Sequence, residues 1–238
     1  MAHRTTTTVG ELAAQLPNAT RVFEKYGIDY CCGGREPVAD ACASAGVALD
    51  ELLEQIEGVS ESSPVANYEN LSQSDLIDHI IKAHHVFTRD ELTRLDALLK
   101  KVVSVHGARH PELITVRETF QKLHEDLLPH MMKEENVLFP YIVELDRCTE
   151  QGVRPAFPRF GTVRNPVRMM MFEHEAVGAL LAQLRTLTSN YTVPPDGCVS
   201  YSTLYAALAN LESDLHQHIH LENNVLFTRA VLQELNFL

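Results

Sequence analysis

The chain has 238 residues, 45% hydrophobic and 22% charged, enough to bury one large core or a small and a medium one. Its formal charge of −12, from 20 Lys+Arg against 32 Asp+Glu, argues against nucleic acid or an anionic membrane surface as the main partner. No apolar run reaches 18 residues, the first 30 lack a signal-peptide core, and five cysteines do not read as a secreted disulfide framework, so a cytoplasmic location is expected.

The N-terminal residues 1–57 read as a small domain of short helices. Thr8 is placed to cap a first helix, Val9 to Leu16, that stops at Pro17, and Thr20 to cap a second, Arg21 to Tyr26, that ends at Gly27. A turn-rich Asp29-Tyr30-Cys31-Cys32-Gly33-Gly34 follows, then helical stretches near 37–45 and 49–56. Residues 58–70 are small and polar and read as a linker. Residues 71–238 carry the pattern of four long helices, at about 72–104, 112–146, 166–190 and 199–234, with an ordered loop at 147–165. Asn165-Pro166 reads as the start of the third. No segment reads as strand, so the fold class is all-α: an up-down four-helix bundle behind a small helical domain.

The chain contains 12 histidines, and their phase is informative. The second long helix has apolar residues at Leu113, Val116, Phe120, Leu123 and Leu127, then Val137 and Tyr141, and the missing members of that series are His130 and Glu134. The fourth runs through Leu204, Leu208, Leu211 and Leu215 to His218, Glu222 and Val225. The segments HMMKEENVLF from His130 and HIHLENNVLF from His218 are identical at six of ten positions, which implies a duplicated helix hairpin. His174 lies 44 residues before His218, and 45 residues before His130 stands His85, in phase with Ile81, Thr88, Leu92 and Leu95. Phase and repeat both select His85 over its neighbour His84.

Six inward groups result: His85, His130, Glu134, His174, His218 and Glu222. Burying four imidazoles and two carboxylates without partners would cost several kcal/mol each. They are too many for one tetrahedral zinc, and they suit two ions, each with two imidazoles, bridged by both carboxylates. Imidazole and carboxylate with open positions favour iron that keeps room for O2, NO or water. Besides His84, and His3 in the N-terminal start, the histidines at 79, 106, 110, 124, 216 and 220 fall off the stripes and read as surface or supporting residues, and Cys42, Cys148 and Cys198 as ordinary thiols.

Cys31-Cys32 stands apart. Adjacent cysteines can form only a strained, readily reduced disulfide, and Gly33 and Gly34 leave the thiols accessible. A flexible linker of about 13 residues reaches about 20 Å, enough for the small domain to visit the mouth of a metal site.

With D-Y-C-C-G-G ahead of these two duplicated segments, the chain resembles the Ric family, also called YtfE, ScdA or DnrN: hemerythrin-like di-iron proteins that repair iron–sulfur clusters. The resemblance spans nearly the whole chain and implies an N-terminal ScdA-type domain and a bundle holding two non-haem iron ions joined by an oxo or hydroxo bridge. The family's ligand pattern maps onto His85, His130, Glu134, His174, His218 and Glu222, and its paired cysteines onto Cys31 and Cys32. The implied function is repair of clusters damaged by nitrosative or oxidative stress, through NO removal or reduction at the di-iron site or through iron donation. The implied partners are damaged iron–sulfur proteins and a small gas, NO or O2, without nucleic acid or membrane. A non-enzymatic sensor or carrier of O2 or NO, which has no need of the cysteine turn, is the alternative, and a contact-based regulator of cell-wall processes, which would leave the metal shell idle, a third. The 147–165 loop departs from the family in being longer than expected.

The six-residue shell predicts about two irons per chain in protein made in iron-replete cells. Elemental analysis with the visible spectrum of the oxidised protein checks this; one zinc per chain contradicts it.

Overall fold

The computed structural model describes residues 7–60 and 68–237, so residues 61–67, the middle of the expected linker, lie outside it. The described residues are helical, with no strand beyond an isolated Thr8–Pro37 bridge, and no helix is long and apolar enough to cross a membrane. Two compact units divide the chain, one of Met1–Ile77, Ile142–Phe157 and His216–Leu238, the other of Asp78–Tyr141 and Pro158–Leu215.

In the first unit, α1 (Val9–Gln15) opens on a capping box: Glu11 N–H donates to Thr8 Oγ1 (3.3 Å) and Thr8 N–H to Glu11 Oε2 (2.9 Å). α2 (Ala19–Tyr26) starts earlier than the sequence suggests, because the Thr20 hydroxyl donates back to Pro17 O (2.8 Å) instead of capping. It ends at Gly27, whose φ of 67° suits a residue without Cβ. α3 (Val38–Ala45) and α4 (Leu49–Ser60) follow. Val9, Val22, Phe23, Tyr30, Leu52 and Ile56 close the core of this four-helix group. The start of α5 (Gln73–His79) is fixed by Ser74, whose N–H and hydroxyl donate to Asp146 Oδ2 at 3.2 Å.

The second unit is built from four rods: α6 (Val86–His106) with the turn before it, α7 (Glu112–Lys133) with the turn after it, α9 (Arg164–Leu187), and the first part of α10 (Val199–His220). His85 meets Glu135 across the first two, His130 meets Glu173 across the next two, and Arg185 meets Glu212 across the last two. His84 meets Asp214 at one end of the first and fourth, and His106 meets Cys198 at the other. These pairings close an antiparallel, up-down four-helix bundle. Leu95, Leu99, Phe120, Leu123, Leu181 and Leu208 are fully or almost fully buried along its axis.

Around the loop, two boundaries differ from those expected. The chain continues through Pro140 as α8 (Phe139–Gln151), so the loop runs only over 152–163. α9 begins at Arg164 rather than Pro166, because the Asn165 amide donates back to Phe160 O (2.8 Å) and Val163 takes the cap position.

Gly10 places α1 against a foreign backbone: its N–H donates to Gly34 O (2.8 Å), and a Cβ there would lie 2.5 Å from Asn224 Oδ1. Gly10→Ala is expected to destabilise the protein by about 1–3 kcal/mol, as overpacking does. A urea melt with an unchanged slope and a lowered midpoint checks this.

Candidate metal centre

Three helices pass through a π-helical turn, and each turn contains one of the sequence-selected residues. Ile80–His85 ends on His85, Glu134–Leu138 begins at Glu134, and Leu221–Leu226 contains Glu222. In each, the N–H of the residue after the turn reaches back five positions: Val86 to Ile81 O, Phe139 to Glu134 O, Phe227 to Glu222 O. The extra residue per turn rotates everything downstream, and such insertions gather at functional sites. This shifts the apolar stripe of the second rod. Leu138 and Ile142 are buried where the 3–4 spacing selected Val137 and Tyr141, and Val137 is exposed.

In the second unit, Glu134 is the hub. It is fully buried, and neither of its oxygens takes part in a hydrogen bond among the described residues. Three imidazoles face it: His130 Nε2 lies 3.3 Å from Oε1, His174 Nε2 3.9 Å from Oε1, and His85 Nε2 3.6 Å from Oε2. His130 and His174 bring their Nε2 atoms within 2.9 Å of each other. A buried carboxylate that accepts no hydrogen bond is costly, and ring nitrogens turned toward it could ligate a metal; a cation among them would supply what the protein withholds. The donor set is nitrogen and oxygen, which suits iron.

The outer edges of two rings are held by carboxylates one position off the stripe. His85 Nδ1 donates to Glu135 Oε1 (2.6 Å), which Arg89 also binds (2.6 Å). His130 Nδ1 donates to Glu173 Oε2 (2.8 Å), and Lys133 binds the other oxygen of Glu173. Burial opposes ionisation of both carboxyls, but His85 with Arg89, and Lys133 with His130, outweigh it and hold both below the usual range. With the proton fixed on Nδ1, each Nε2 presents its lone pair to Glu134. His84 instead bonds Asp214 through Nδ1 (2.9 Å). His130, Lys133, Phe172 and Glu173 line a surface cleft of about 270 Å³.

In the first unit, His218 Nε2 lies 3.0 Å from Glu222 Oε1, one turn apart, and both are buried. The next two residues of that π turn hold the cysteine turn. Asn223 Nδ2 donates to Cys31 O (3.3 Å) and Asn224 Nδ2 to Tyr30 O (3.1 Å). Asn224 also donates to His220 Nδ1 (3.0 Å), and burial presses His220 down to about 4, so this ring is neutral and structural. No disulfide joins the two cysteines, whose sulfurs lie 3.8 Å apart. Asp29 Oδ1 accepts from the N–H groups of Cys31 (3.0 Å) and Cys32 (2.9 Å) and from the Cys31 thiol (3.2 Å). The accessibility expected from the flanking glycines is met only in part: Cys31 is buried and Cys32 half-buried. The bond from Cys31 to the Cys32 sulfur, burial and the nearby Asp29 charge all push the Cys31 thiol up, so it is protonated at neutral pH.

The functional residues that sequence reasoning passed over are Glu135, Glu173, Asp29, Asn223 and Asn224. Their one visible signal is adjacency: Glu135 follows Glu134, Glu173 precedes His174, and Asn223-Asn224 follow Glu222.

Comparison with known proteins agrees with this layout. Residues 5–60 match the family model ScdA_N, Domain of Unknown function (DUF542), and residues 76–230 match the Hemerythrin HHE cation binding domain. The chain is 35% identical over 226 residues to the "Iron-sulfur cluster repair protein YtfE" of Escherichia coli O1:K1 / APEC, covering 95% of this chain and 97% of that one. The protein of the same name from Escherichia fergusonii gives the same identity and coverage. That of Escherichia coli O81 is 34% identical over the same shares.

Removing one outer carboxylate while keeping its shape tests the arrangement. Glu173→Gln is expected to weaken metal binding about 10–100-fold. Competition with a chelator, followed by metal content against chelator concentration, reads the effect; an unchanged curve contradicts the role given to Glu173.

Proposed function

We infer the function from one premise: the chain belongs to the family of the iron–sulfur cluster repair protein YtfE. On it, we propose that this is a di-iron protein that restores iron–sulfur clusters damaged by nitrosative or oxidative stress. The observation that carries the reading is Glu134, a buried carboxylate that accepts no hydrogen bond among the described residues and is faced by three imidazoles. We assign the ligands as His85, His130, Glu134, His174, His218 and Glu222. The duplicated His-x-x-x-Glu segments support grouping all six, since the pair His218–Glu222 repeats the spacing of His130–Glu134.

Two non-haem irons would supply redox chemistry and open positions for NO or O2. The chain's own part is to hold the donors ready. Glu135 and Glu173 fix two rings in the ligating tautomer, Arg89 and Lys133 keep those carboxylates charged, and aliphatic packing along the bundle excludes bulk water. The sequence division stands in the same proposal: residues 1–57 form the cysteine-bearing domain and 71–238 the metal-binding bundle.

Cys31 and Cys32 are assigned as the reactive pair that accepts NO or iron. Their turn is bonded to Asn223 and Asn224, next to Glu222, so the pair is stationed at the π turn and needs no swing on a linker to reach it. Cys32, the more exposed of the two, is the thiol that meets a partner. Damaged iron–sulfur proteins are the partners and the cytoplasm the location.

The Cys31→Ala/Cys32→Ala double variant is expected to keep both irons and still bind NO, because neither thiol is a bundle ligand. It should restore activity to an NO-damaged iron–sulfur enzyme tenfold more slowly or worse, on the order of 1.4 kcal/mol in barrier. Recovery of that enzyme's activity against time, at equal iron content, decides. Recovery like the wild type would remove the thiols from the mechanism.

A further inference from the structure

At the end of the second unit's bundle where α6 finishes and α10 begins, a cysteine that no sequence motif singles out meets a buried histidine. Cys198 is exposed and precedes the first residue of α10; its carbonyl accepts the first helical bond, from Ser202 N–H (3.0 Å). His106 Nε2, from the last residue of α6, lies 3.1 Å from its sulfur. The His106 side chain is 3% exposed, and its Nδ1 has no hydrogen-bond partner among the described residues.

That asymmetry fixes the tautomer. A ring proton on Nδ1 would be a buried donor without an acceptor, which costs about 1–3 kcal/mol, so the proton sits on Nε2 and points at sulfur. The imidazole donates, and what it favours is the charged thiolate. Two more donors converge from the start of α10, the N–H groups of Tyr201 and Ser200. His106 first, then Tyr201 N–H, against a small opposing cost of burial, bring the Cys198 thiol down to about 7. An edge-on Tyr201 ring, 5.3 Å from the His106 ring, packs beside it. Around the pair stand His110, bonded to Asp196 Oδ1 (2.9 Å) and Glu112 Oε1 (3.0 Å), and Arg109, paired with Asp196 (3.2 Å).

We propose that Cys198 and His106 form a second reactive site of this chain, a thiolate that a small uncharged peroxide oxidises to a sulfenate. The thiolate sulfur attacks one peroxide oxygen, forming S–O as O–O breaks. The bonding pair leaves with hydroxide, which takes a proton from solvent and becomes water. Sulfur loses two electrons and the peroxide gains them. Cys198 is the one cysteine of the second unit, so a soluble thiol resolves the sulfenic acid, with an S–S bond formed and water released.

Alkylation of the full-length protein with iodoacetamide across pH, read peptide by peptide by mass spectrometry, tests the thiolate, and dimedone trapping after hydrogen peroxide tests the product. The expected result is a rate midpoint near pH 7 at Cys198 and a dimedone adduct there. His106→Leu should move the midpoint toward about 8.5 and slow alkylation at pH 7 about threefold, since the larger loss of thiolate is offset in part by higher nucleophilicity. A wild-type midpoint at or above 8.5, an unchanged profile in a folded His106→Leu, or absence of the adduct at Cys198 overturns the proposal. If that variant does not fold, the wild-type profile and adduct decide alone.

Discussion

The structure depends on one carboxylate. Glu134 sits in the dry centre of a bundle of leucines, where a charge without donors is among the most expensive things a protein can bury. Among the described residues, none donates a hydrogen bond to it. Instead three imidazoles turn their Nε2 atoms toward it, two of them held in that pose from outside by Glu135 and Glu173. The arrangement makes poor sense as a hydrogen-bond network and good sense as a cation site, because a metal stabilises in one step the carboxylate and the nitrogens that face it. The apolar stripes of the four rods therefore have two tasks. They bury the surface that folds the bundle, and they exclude water from donors that must stay available to metal.

The π-helical turns are the backbone's contribution. One inserted residue after Glu134 carries Leu138 and Ile142 inward in place of Val137 and Tyr141. The turn carrying Glu222 also presents Asn223 and Asn224, whose amides hold the Cys31 and Tyr30 carbonyls. The turn that carries Glu222 thus also holds the thiol-bearing turn through two side-chain amides. Whatever displaces that stretch reaches both.

Most of this architecture was legible in the residues. Leucine periodicity located the rods, and the gaps in it, filled by His and Glu at matched spacings, marked the candidate ligands; the duplication chose His85 over His84, and the structure has His85 facing Glu134 and His84 bonded to Asp214. What was not legible depends on insertions and long-range pairing. The π turns leave no mark in a pattern that assumes 3.6 residues per turn, so the stripe beyond Glu134 was misplaced by one residue. Glu135 and Glu173 look like solvated surface acids until the rods are packed. The cysteine turn looks open because of Gly33 and Gly34, yet Asp29 and Asn223 fold it down and bury Cys31. Cys198 looks ordinary because its partner, His106, is distant in sequence and meets it only when α6 and α10 align.

Iron K-edge X-ray absorption of the isolated protein tests the central claim most directly, because it reports the donors themselves. The account predicts a first shell of nitrogen and oxygen, outer-shell scattering from imidazole, an iron–iron vector, and no sulfur. A sulfur shell, which would put the iron on Cys31 and Cys32, or the absence of any iron–iron vector in fully loaded protein, would contradict it.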